Sequence, residues 1–127
     1  MVVWQKAQSL AEEALSLVSA LPQDRATAVI GRQLLRAATS IAANIAEGYG
    51  RFSQASYRNH LSIARGSAFE VESWLDLLQR RGYIAPETAA SLMASCTEVQ
   101  RLLTLRMKSL GENKTYAVRE EGAEYDT

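Results

Sequence analysis

Residues 53–82, SQASYRNHLSIARGSAFEVESWLDLLQRRG, decide the fold. Within them Tyr57, Leu61, Ala64, Ala68, Val71, Leu75 and Leu78 alternate spacings of four and three residues. That rhythm puts all seven on one stripe of an α-helix and makes a heptad seam suited to knobs-into-holes packing. Ser53 stands where an N-cap is needed, and Arg80, Arg81 and Gly82 place cations and a permissive residue at the negative end of the helix dipole. A seam of this length has to be covered, so the rest of the chain is read for helices that cover it.

Three more amphipathic segments surround it. The first carries Trp4, Ala7, Leu10, Ala14, Leu17 and Leu21 and stops before Pro22, because a residue ahead of proline is pushed out of helical geometry. The second, with Asp24 as N-cap, has the stripe Ile30, Leu34, Ala37, Ile41 and then Asn44 or Ile45, and is expected to end at Gly48 and Gly50. The fourth opens at Pro86 and runs through Leu92, Cys96, Val99, Leu103, Met107 and Leu110 to an expected stop at Gly111. Nothing reads as a strand. Long amphipathic helices with short connections favour antiparallel neighbours, so the expected fold is all-α: an up-down-up-down four-helix bundle over residues 1–111. Residues 112–127 lose the periodicity and are expected to form a mobile, acidic tail.

The chain has 127 residues, enough for one core without staples. Its single cysteine, Cys96, excludes an internal disulfide framework and suits a reducing cytoplasm. One cysteine and one histidine, His60, do not make a zinc site, and no cofactor is expected. No apolar run reaches the length of a membrane span, so no membrane partner is expected. Fourteen basic and fourteen acidic side chains cancel, but unevenly: residues 1–111 hold 12 basic and 9 acidic groups, and residues 112–127 hold 2 and 5. A body of +3 with a tail of −3 predicts at most weak, non-specific binding of RNA or DNA, with the tail competing for the same surface.

Polar groups interrupt the apolar pattern at two places. Asn44 and Glu47 lie close to the end of helix two, and Ser67 and Glu70 share a face of helix three with Ile63, Trp74 and Leu77. Buried polar groups are retained where partners satisfy them. Asn44, Glu47, Ser67 and Glu70 are therefore expected to form one hydrogen-bonded network across helices or subunits, with Arg51 or Arg65 as counter-charge. The competing expectation is an enzyme or metal site built on the Glu47 and Glu70 carboxylates, although no Glu-x-x-His motif accompanies them. Gly66, in mid-helix, costs about 1 kcal/mol relative to alanine and predicts a close backbone approach. Arg51, Arg58 and Arg65 recur every seven residues, and Arg101 and Lys108 repeat the interval on helix four, which makes these five the candidate nucleic-acid or subunit contacts. Leu35, Ile45, Phe69, Trp74 and Leu77 lie outside a single seam, more apolar surface than one bundle uses, so self-association is expected.

Residues 40–48, SIAANIAEG, followed by Arg51, Ser53, Tyr57, the run IARGS at 63–67, Glu70 and Glu72, resemble the bacterial four-helix bundle proteins known as the 23S ribosomal RNA intervening-sequence proteins. The resemblance spans about residues 3–110. It implies a helical bundle assembled as a ring-like homopentamer, with no established enzymatic activity. The family is also similar to the accessory variability proteins of diversity-generating retroelements, which are strongly basic, as this chain is not. The function expected from residues and resemblance together is a cytoplasmic, non-enzymatic scaffold that recruits a nucleic-acid or protein partner.

Overall fold

The structure, a computed structural model, describes residues 1–121, with side chains described over 1–111. Four helices follow one another: α1 (Val2–Ser19), α2 (Arg25–Tyr49), α3 (Gln54–Arg80) and α4 (Pro86–Glu121). Helix α1 packs on α2 and α4, and α3 packs on α2 and α4, with no close backbone approach between the diagonal pairs among the described residues. This closed square of neighbours is the antiparallel four-helix bundle that the seam required.

Local chemistry sets the helix starts. The Asp24 carboxylate accepts the Thr27 N–H at 2.9 Å, and the Ser53 hydroxyl accepts the Ser56 N–H at 2.9 Å. Accepting that N–H holds the Asp24 carboxyl below the usual carboxylate range. Gly82, with φ +76°, reverses the chain between α3 and α4, a conformation glycine reaches without steric cost.

All seven seam residues of α3 are buried, as are Leu10, Leu34, Ile41, Val99 and Leu103 from the other helices. Cys96 is enclosed in this core. Burial, with Glu72 and Glu13 nearby, pushes its thiol up to about 12, so it behaves as a small apolar side chain rather than a nucleophile.

Three expectations are corrected. On α1 the buried residue of the first turn is Val3, and Trp4 lies at the surface. On α2 it is Ile45 that enters the core and is fully buried, while Asn44 sits at its edge, so Ile45 adds nothing to the surface apolar groups. Helix α4 passes through Gly111 without a break and reaches Glu121, ten residues past the expected stop. Gly111 is helical there, with the Arg58 guanidinium where a Cβ would lie: Arg58 Nε is 3.1 Å from that position. Residues 122–127 of the expected tail lie outside the described residues.

Candidate functional site

The α2/α3 pair carries the polar constellation, and its register is regular. Gly48 lies beside His60, Ser40 bonds Ser67, and Arg36 pairs with Glu70. Steps of eight and then four residues along α2 toward its start are matched by steps of seven and then three along α3 toward its end, the opposed directions that antiparallel packing demands.

The four network residues therefore fall at different levels of the bundle. Ser67 and Ser40 share a hydroxyl–hydroxyl bond of 2.5 Å near the middle of the pair. Asn44 donates from Nδ2 to the Ser40 carbonyl at 2.9 Å, within its own helix. Glu70 accepts from Arg36 across the interface and from Trp74 Nε1 at 3.1 Å. Glu47 sits at the far end, where Arg51 Nη2 donates to it at 2.7 Å and His60 Nε2 lies 3.7 Å away. The bond from Arg51, followed by the influence of His60, holds the Glu47 carboxyl below its ordinary range.

In place of the single expected network the chain holds three separate groups. One joins Ser40, Asn44 and Ser67. The second joins Arg36, Glu70 and Trp74, and the Glu47–Arg51–His60 corner stands apart from both. Arg51 is the counter-charge of Glu47, but Arg65 is not that of Glu70: its guanidinium lies over the Phe69 ring, 5.4 Å from the centroid, and its Nε is buried without a hydrogen-bond partner among the described residues. Arg36 takes that place. No sequence signal marked it, because an exposed helical arginine looks the same whether or not a carboxylate faces it.

The separation also removes the paired-carboxylate site. Glu70 is level with Arg36, and Arg36 lies eleven positions from Glu47 on α2, roughly 16 Å at 1.5 Å per residue. Two carboxylates at that distance cannot share a proton, a metal ion or a substrate atom. Among the described residues no three His, Cys, Asp or Glu side chains gather as a metal-binding group.

The five candidate cationic contacts are also dispersed. Arg51, in the α2–α3 connection, is engaged with Glu47, and Arg101 donates to Glu98 at 2.9 Å on α4, so both are largely neutralised close by in the chain. Arg58 donates from Nε to the Met107 carbonyl at 3.1 Å, in the α3/α4 groove. Lys108 stands exposed on α4.

Since Arg36 and Glu70 are both partly exposed, their pair is worth little beyond a surface ion pair. Glu70→Ala is expected to cost about 1 kcal/mol, chiefly from the acceptor lost to the half-buried Trp74 indole. Asn44→Ala, which removes only a bond within α2, is expected to cost less. Urea unfolding of both variants checks the order; an equal or reversed order would mean that Asn44 has a partner outside this chain.

The fold is thus an all-α four-helix bundle that carries SIAANIAEG on α2 and IARGS on α3. The chain matches the family described as 23S rRNA-intervening sequence protein over residues 1–105 and belongs to that family. It is also similar to a solved protein of unknown function from the S23 ribosomal protein family of Bacteroides thetaiotaomicron. The two share 37% identity with a TM-score of 0.79, over 84% of this chain and 98% of that one. No curated protein matches the chain. Among the described residues no helix is long and apolar enough to cross a membrane.

Proposed function

We propose that this protein is a self-associating helical scaffold without chemistry of its own, and that its assembled surface recruits a protein or nucleic-acid partner. One observation carries the reading. Gly66 lies in the middle of α3, yet beyond its own stretch of helix no atom of the described residues comes within 4 Å of where its Cβ would stand. A glycine that costs about 1 kcal/mol in a helix has no packing reason inside this chain. A second copy pressed closely against the outer α2/α3 face supplies one. Ile63 and Leu77, exposed on the same face of α3, are the apolar groups such a contact buries, with Ser40, Ala43 and Ser67 as small neighbours.

A ring of five copies, as the family resemblance implies, has a mass of about 70 kDa, five times the 14.0 kDa chain. Light scattering at micromolar concentration is expected to read that mass for the natural chain. Gly66→Leu is expected to remain folded, because the site is open within the chain, and to lose the assembly. A natural chain that runs as a strict monomer would overturn the proposal. Binding of RNA or DNA by such a scaffold is weak and falls with salt, since two of its five candidate cations are already paired with carboxylates.

A further inference from the structure

Five exposed apolar groups gather at one end of the bundle, away from the α2/α3 face. Met1 and Val2 begin α1 there, Tyr49 and Phe52 flank the α2–α3 corner, and Leu105 faces outward from α4. Each is close to half exposed or more, and Phe52 is completely exposed. Phe52 stands in the four-residue connection between α2 and α3, where its ring meets none of the core.

Beside it is a recess. A cavity of about 580 Å³ opens at the same end, walled by Met1 and Val2, by Tyr49 and Tyr57, and by Leu105 and Arg106. The two tyrosine rings meet edge to face, with centroids 6.0 Å apart, and the Arg106 guanidinium lies over the Tyr57 ring at 5.6 Å. Arg106 has no carboxylate partner among the described residues. Aromatic edges, apolar walls and a cation above a ring are the surroundings in which a phenyl ring gains both burial and quadrupole attraction. The volume is ample for one.

We infer that Phe52 of one copy inserts into this Tyr49–Tyr57–Arg106 cavity of a second copy, and that the second returns the same contact. A recess alone would call for a foreign partner. Here one end of one molecule carries both the projecting ring and the recess that fits it, which is the condition for a self-complementary, two-fold interface. Arg51 beside Phe52 is neutralised by Glu47, so the projecting segment brings no free charge of its own to the contact. One inserted ring per copy buries little area, so this contact is weaker than a ring interface and forms at higher concentration. It uses none of the residues of the α2/α3 contact, so each can fail without the other.

The test replaces Phe52 in the full-length chain with the photo-crosslinking residue p-benzoylphenylalanine and mixes it with an isotopically heavy copy of the natural chain. Illumination at high protein concentration is expected to join position 52 of the light copy to the heavy peptide around Leu105 and Arg106. Cross-links confined to one chain, directed to the α2/α3 face or absent would overturn the inference. In parallel, sedimentation of Gly66→Leu is expected to show the mass doubling as concentration rises. Adding Phe52→Asp should abolish that doubling while leaving the circular dichroism spectrum unchanged. Doubling that persists in the double variant would equally sink the proposal.

Discussion

Gly48→Ala is expected to destabilise the protein by about 2 kcal/mol, although alanine is the better helix former. A Cβ at Gly48 would lie 2.6 Å from His60 Cβ and 3.1 Å from Tyr57 Cδ1. The first of these atoms is fixed to the α3 backbone and cannot swing aside, so α2 and α3 must separate at the corner where Glu47 meets Arg51 and His60. Overpacking of this kind costs about 1–3 kcal/mol, or more, and the propensity gain of about 1 kcal/mol does not offset it. Gly50, two residues on, is the control. Its Cβ would meet only backbone oxygens at ordinary distances of 3.6 and 3.8 Å, and its φ of −81° suits any residue. Gly50→Ala is therefore expected to be neutral or slightly stabilising. The urea midpoint of Gly48→Ala should fall below that of the natural chain and that of Gly50→Ala at or above it; coincident midpoints would show that the corner has slack the structure does not suggest.

Leu61→Ala is expected to cost about 2–5 kcal/mol, the largest effect of any single truncation considered. Leu61 has no exposed surface and belongs to the seam that all four helices close around. Removing three carbons there loses their transfer free energy and leaves a void that helices clamped from both sides cannot collapse into. Against a typical domain stability of about 5–15 kcal/mol, that is a large fraction of the whole. Leu105→Ala, by contrast, trims a side chain that is 52% exposed and should stay within about 0.5 kcal/mol in the monomer. Thermal or denaturant unfolding measures both. A small change at Leu61 would mean that the core is loosely packed rather than interlocked.

Much of the fold was legible in residue order. The α3 stripe needed no tertiary information, because its seven positions repeat at helical spacing and each is apolar or small. Asp24 and Ser53 were legible as caps for a local reason: a short side-chain oxygen three residues ahead of an unpaired N–H closes its bond within one turn. Phase was less secure. Val3 and Trp4, or Asn44 and Ile45, are neighbours about 100° apart on a helix, and either can border a stripe. Only the position of the facing helix decided which went inward.

The glycines divide along the same line. Gly48, Gly50 and Gly111 all look like helix stops, since a stop and a close approach use the same residue. Gly48 is in fact a contact surface for His60, Gly111 a seat for Arg58, and α2 ends at Gly50 with an ordinary right-handed conformation. The candidate site followed the same rule. Arg51 could be assigned to Glu47 from a spacing of four within one stretch of chain, whereas Arg36 and Glu70 are 34 residues apart and meet only through the register of α2 on α3. Sequence by itself determined the helices, their caps and their antiparallel order, because these depend on interactions within one turn or on short connections. The register of one helix against the next, and with it every cross-helix pair and the axial separation of roughly 16 Å between Glu47 and Glu70, was decided by tertiary packing, where side-chain volumes and not spacing set the level at which two helices meet.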